Sequence, residues 1–300
     1  MTARRTLAFL LPIALTAICS VASSMDYQNA DLLVEPEWLE RRLDLKHVRI
    51  VDFARGESEY ESGHIPGAVY CDMDRITTEV GSVPTMLVHP ERVADVLIGL
   101  GIREESTVVI YDDEGGLWAS RLFWAMEYVG HRDVRLLNGG WSAWLEYGGE
   151  VSTERPSYTR GDFAPRIRYE LLATRDWILN RLGDQRTALI DVRTPGEYSG
   201  EDVRADRGGR IPGAVNVDWR LALTEDGTDL VLPADELLPV FERRAITPDR
   251  EIATYCQAGV RATHTYFILR LLGYPSVRVY DGSWVEWGND DSLPIEPASP

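Results

Sequence analysis

Of the three cysteines in this chain, Cys256 stands where a thiol could react. It lies in TYCQAGVRATH, between an apolar run ending at Tyr255 and a helical pattern starting near Ala262. Small residues such as Ala258 and Gly259 let the backbone turn its N–H groups inward around one sulfur, and the helix adds its positive end. Arg261 contributes a full positive charge. These effects lower a thiol pKa, so the expectation is an ionised sulfur within reach of solvent. The competing reading is an inert core cysteine, because free cysteine is among the most buried residue types. Beside it, Gln257 offers a neutral hydrogen-bonding side chain and Arg261 a partner for an anion. Ala258, Gly259 and Val260 complete the candidate substrate-binding run.

Other residues of suitable type divide between function and framework. Arg193, in DVR (191–193), leaves the end of a strand; it either clamps an anionic substrate or pairs with Asp191 or Glu197. Asp52 and Asp191 recur at matched positions, one in a segment without a reactive cysteine, which points to a shared structural role. His264 lies eight residues past Cys256, about two helical turns away, too far to be its base. Cys71 aligns with Val217, an apolar position, and reads as buried. No cysteine and histidine cluster has zinc-ligand spacing, and neither a Ser/His/Asp order nor a GxSxG elbow occurs.

The elements that position these residues come in two copies. Residues 33–52 align with 172–191, HIPGAVYCD (64–72) with RIPGAVNVD (210–218), and VRLLNGGWSAW (134–144) with VRVYDGSWVEW (277–287). The second copy carries seven extra residues, in SGEDVRADRGGR (199–210), bringing Arg204, Arg207 and Arg210. At the last offset Cys256 falls opposite Asp113. Within each copy, helices alternate with short apolar strands. Strands are expected at Val48–Phe53, Thr107–Tyr111, Ala188–Val192 and Glu251–Tyr255, and helices at Glu35–Leu43, Trp118–Val129, Arg175–Leu182 and Ala262–Leu272. That alternation predicts an α/β protein of two tandem domains, each a parallel sheet with helices on both faces. The expected boundaries are 31–149 for the first domain, 150–168 for a polar linker and 169–295 for the second domain.

HIPGAV, RIPGAV, DVR, YCQAGVRA and DGSWVEW together resemble the tandem-domain rhodaneses, a sulfurtransferase family that includes thiosulfate and 3-mercaptopyruvate sulfurtransferases. The resemblance implies a non-catalytic first domain that helps wall the cleft. It also implies that Cys256 of the second domain takes a sulfane sulfur as a persulfide, with Arg193 and Arg261 close to the donor. A small anionic sulfur donor and a cyanide or thiol acceptor would be the partners, with no cofactor. Loop composition leans to thiosulfate, with 3-mercaptopyruvate and a non-enzymatic binding module as alternatives. Four residues separate Cys256 from Arg261, against the five that cysteine phosphatases of related fold use to cradle phosphate.

Composition narrows the partners further. The chain has 31 basic and 48 acidic residues, a net charge of −17, which repels nucleic acid backbones. Arg4 and Arg5, the apolar run from Leu7 to Ala17 and the small residues from Ser20 to Ser24 read as a signal peptide, residues 1–24, cleaved near Ala22. The expected location is periplasmic or secreted, with no membrane span after processing.

Overall fold

A computed structural model describes residues 27–297. The expected signal peptide, Cys19 included, lies outside them. The first domain runs β1 (Leu33–Val34), α1 (Pro36–Glu40), β2 (Val48–Phe53), α2 (Glu57–Ser62), β3 (Ala68–Cys71), β4 (Thr77–Val80), β5 (Val83–Leu87), α3 (Pro90–Gly99), β6 (Thr107–Tyr111), α4 (Ala119–Tyr128), β7 (Val134–Leu137) and α5 (Gly140–Tyr147). The second runs β8 (Leu172–Ala173), α6 (Arg175–Leu179), β9 (Thr187–Asp191), α7 (Pro195–Ser199), β10 (Val215–Asn216), α8 (Ala234–Glu242), β11 (Glu251–Tyr255), α9 (Val260–Leu271), β12 (Val277–Tyr280) and α10 (Ser283–Gly288).

Each domain holds a parallel five-stranded sheet, in the order β1-β7-β6-β2-β3 and β10-β9-β11-β12-β8. Every residue of β2, β6 and β9 is buried, as continuous apolar runs must be when helices cover both faces of a sheet. The predicted strands at Val48–Phe53, Thr107–Tyr111 and Glu251–Tyr255 match to the residue. The helix after the cysteine does not. It begins at Val260 rather than Ala262, because Gly259 takes a left-handed conformation (φ +87°) and caps it. Arg261 therefore sits in the first turn of α9.

The domains meet along α4 and α9, both buried nearly all round. Phe123 and Phe267 pack edge to face across this seam at 5.0 Å, and one apolar core continues through both domains. Glu127 of α4 accepts from the Tyr266 hydroxyl (2.6 Å) and from Arg270, both on α9. An antiparallel hairpin, β4–β5, leaves the first domain after β3 and lies against the second. It had no counterpart in the sequence reading.

Candidate active site

Strand β11 ends at Tyr255, and its partner β6 in the first domain ends at Tyr111. Each tyrosine pairs with the aspartate closing the neighbouring strand, Asp191 and Asp52, and accepts a backbone N–H from the IPGA turn, from Ile211 or Ile65 (both 3.2 Å). The residue opposite Cys256 is therefore Asp112, not Asp113. The following helices confirm this register: Trp284 N–H donates to the Cys256 carbonyl (2.9 Å) and Trp141 N–H to the Asp112 carbonyl (2.7 Å).

The two loops that leave these positions use their amides differently. In the first domain, the Asp112 carboxylate accepts from the N–H groups of Glu114, Gly116, Trp118 and Ala119, at 2.7 to 3.0 Å. Burial nevertheless raises the Asp112 pKa to about 6 against the pull of these donors. In the second domain, Val285 N–H holds the Gln257 carbonyl (2.9 Å), as Trp284 N–H holds that of Cys256. In a trans peptide the next N–H points the opposite way, so the Gln257 and Ala258 amides face away from α10. Among the described residues, no hydrogen bond within the protein takes up the N–H groups of Gln257, Ala258, Gly259 or Val260. A run of amides without protein acceptors, at the start of a twelve-residue helix, is suited to receive a negative charge.

Cys256 is 1% exposed, which corrects the expectation of a solvent-reachable thiol. The cover includes the β4–β5 hairpin of the first domain, where the Thr85 hydroxyl donates to the Ala258 carbonyl and Leu87 N–H donates to Asp281 (2.8 Å). The hairpin thus lies against the loop that follows the buried thiol. The Gln257 amide donates to the Arg204 carbonyl (2.6 Å) on the inserted segment, while its buried Oε1 has no partner. Among the described residues Cys71 and Cys256 form no disulfide. A cavity of about 570 Å³ lies beneath residues 155–158, against Tyr70, Arg75, Arg155 and Tyr158, with none of the loop residues in its walls.

Both candidate anion-binding arginines are engaged. Arg261 makes a bidentate pair with Glu197, both contacts at 2.7 Å, and its side chain is 17% exposed. Burial would lower the Arg261 pKa, but the Glu197 contact and the field of Cys256 outweigh it and raise it. Burial would raise the Glu197 pKa, yet Arg261 and the Thr194 capping box outweigh that and hold it at about 2. Arg193 is 1% exposed and donates to Asp191 (2.6 to 3.2 Å) and to the Gly209 carbonyl (2.8 Å), with Trp284 stacked on it at 4.5 Å. The first domain, which has no cysteine at the matching loop, repeats this cluster with Arg55, Asp52, the Gly63 carbonyl and Trp141. Arg193 thus occupies the ion-pair position of its two readings, as the framework role of Asp52 and Asp191 requires. His264 faces the first domain, its Nε2 3.2 Å from the Gly115 carbonyl, and burial lowers its pKa to about 4. Sequence reasoning missed Thr85, Arg121 and Asp281 altogether. Glu197 entered the sequence reading only as a possible partner of Arg193, and its contact with Arg261 was not foreseen.

Two outcomes are expected. Glu197 has a folded pKa of about 2 against an ordinary 4.5, so it stabilises above pH 4.5 and loses that contribution as pH falls toward 2. Glu197→Gln should cost on the order of 3 kcal/mol at neutral pH, with the gap from wild type narrowing on acidification. Denaturant unfolding across that range measures it, and a constant gap would contradict the assignment. Thr85→Val keeps the shape but loses the donor to Ala258, so alkylation of Cys256 by iodoacetamide should speed up about 3- to 10-fold. Thr85→Ser should restore the slow rate; peptide mass mapping reads both, and an unchanged rate in Thr85→Val would show that the hairpin is not the gate.

The Rhodanese-like domain family matches this chain twice, over residues 35–147 and 174–290. The chain is 40% identical over 273 residues to the thiosulfate sulfurtransferase of Azotobacter vinelandii, covering 90% of this chain and 99% of that protein. It is 39% identical over 284 residues to the sulfur carrier protein TtuD of Thermus thermophilus, covering 90% and 98%. Among solved structures, a variant of EanB with a cysteine persulfide, in a tetrahedral intermediate state with ergothioneine, superposes with a TM-score of 0.81 at 28% identity. That match covers 91% of this chain and 72% of that one. Two matched domains and relatives aligned over nearly their whole length place this chain in the rhodanese family, in its tandem-domain form.

Proposed function

We propose that this protein is a thiosulfate sulfurtransferase in which Cys256 carries the transferred sulfur. The observation that carries the reading is the unfilled amide nest of residues 257–260, set against the same place in the first domain, where Asp112 fills it. A persulfide extends the cysteine by one negatively charged sulfur, and such a nest is suited to hold that charge.

In the first half-reaction the Cys256 thiolate attacks the outer sulfur of thiosulfate. A new S–S bond forms, the old one breaks, and sulfite leaves with the electron pair. In the second, cyanide carbon or a thiolate attacks the outer persulfide sulfur, and the Cys256 thiolate departs. Arg261 is neutralised by Glu197, so the loop amides and the α9 terminus supply most of the uncompensated positive field. Thiosulfate is preferred over 3-mercaptopyruvate as donor because relatives spanning the whole chain bear that name.

The N-terminal pattern supports export, with the mature protein periplasmic or secreted. No helix of the described residues is long and apolar enough to cross a membrane. The mass of protein recovered from an exporting host, if it keeps residues 1–22, would overturn cleavage near Ala22.

Intact mass tests the central assignment. Addition of thiosulfate should add about 32 Da, one sulfur, removable by cyanide. Cys256→Ser should fold, gain no sulfur and lose thiocyanate formation; retained turnover in that variant would refute the nucleophile. Parallel assays with 3-mercaptopyruvate decide the donor.

A further inference from the structure

We propose that Arg121, in the non-catalytic domain, is a positioning residue for sulfur transfer that acts through Asp281 and Thr85 on the sulfur-carrying loop. The proposal rests on the reading of Cys256 as the persulfide carrier.

Arg121 lies on α4, fully buried, 135 residues before the cysteine. Its Nη2 donates to the Thr85 carbonyl (2.6 Å), the residue whose hydroxyl is bonded to the Ala258 carbonyl. Its Nη1 lies 2.7 Å from Asp281 Oδ1, an ion pair by distance whose two side chains are 0% and 4% exposed, although among the described residues neither atom meets hydrogen-bond geometry. Asp281 follows β12 in the second domain, so the pair crosses the interface. It also lies directly against the loop: a Cβ on Gly259 would lie 2.7 Å from Asp281 Oδ1 and 3.3 Å from Arg121 Nη1. One guanidinium thus neutralises the carboxylate beneath the loop and holds the hairpin that covers it.

The arginines around Cys256 are paired, while Asp218, in the field of Arg261, and Glu286 have no ion-pair partner among the described residues. Arg261 of α9 pairs with Glu197 of α7, Arg193 pairs with Asp191 at the end of β9, and Arg204 of the inserted segment pairs with Asp202. Glu286 on α10 accepts from the Tyr280 hydroxyl. Against that background, loss of Arg121 would leave a buried carboxylate facing a loop that must hold a negative sulfur. A neighbouring like charge raises the pKa of an acid, and a neighbouring cation lowers it.

The test is the pH midpoint of Cys256 thiolate formation, read from ultraviolet thiolate absorbance against matching Cys256→Ser chains, together with kcat and KM for thiosulfate. Arg121→Met should raise the midpoint, because the Asp281 carboxylate is left facing the loop. Its kcat/KM near neutral pH should fall. Asp281→Asn leaves a bare guanidinium and should move the midpoint the opposite way. The double variant removes both charges and should return the midpoint to within a few tenths of a unit of wild type. If Arg121→Met fails to fold, the downward shift in Asp281→Asn still decides. Midpoints that stay put in the folded single variants, or a double variant that does not restore, would overturn the proposal. Failure of wild type to gain sulfur from thiosulfate would instead overturn the activity on which it rests, and the midpoints would not be affected.

Discussion

Backbone amides at the end of a buried strand need an acceptor, and the two halves of this molecule meet that need in different ways. In both domains the chain leaves the sheet, turns, and enters a helix, and the amides of that turn need acceptors other than the helix's own carbonyls. The first domain supplies a carboxylate from its own chain, and Asp112 ties four amides into a closed knot. The second domain places a thiol there instead. A neutral thiol is a poor acceptor for several amides, whereas a thiolate or a persulfide is a good one. The same geometry that closes one loop therefore favours the charged states through which the other must pass.

Buried pairing of charge follows from that arrangement. Arg193 with Asp191, Arg261 with Glu197 and Arg121 with Asp281 surround the second loop, and each removes a full charge from a region of low polarity. Neutral pairs leave the directional field of the amides and the helix terminus as the main term acting on the sulfur. The recurrence of the Arg193 cluster as Arg55, Asp52 and Trp141 in the first domain separates framework from chemistry. A group built into both copies supports the strand end, and only what differs between the copies can account for a reaction confined to one.

Much of this was legible before any coordinates. Strands buried on both faces carry short runs dominated by apolar and β-branched residues, so β2, β6 and β11 could be bounded to the residue. The position of Cys256 in its loop followed from the strand before it. What escaped the sequence has physical causes. The counterpart of Cys256 was placed one residue late because the offset came from a block beyond loops of unequal length. Tyrosine hydroxyl bonds and sheet register fix it at Asp112. Helix α9 starts early because a left-handed Gly259 cap outweighs the low helix propensity of Val260. The β4–β5 hairpin is short and mostly polar, with a Gly-Ser turn, so its pattern resembled a loop. Its contact with Ala258 spans 173 positions and leaves no local trace.

The burial of Cys256 also changes what the first domain is for. A wall beside a cleft would only need to exclude water, and an apolar face would suffice. Instead α4 contributes a buried guanidinium, and the hairpin contributes a hydroxyl and an amide, each directed at the catalytic loop or at the aspartate beneath it. Burying a charge is costly unless it is paired and hydrogen-bonded, so Arg121 is tolerable only while Asp281 and Thr85 stay in place. That makes closure of the interface and organisation of the sulfur loop one event. On the proposed function, a donor that displaced the hairpin would release the Ala258 carbonyl and the Asp281 carboxylate together, so access to Cys256 and the order of its loop would change in one step.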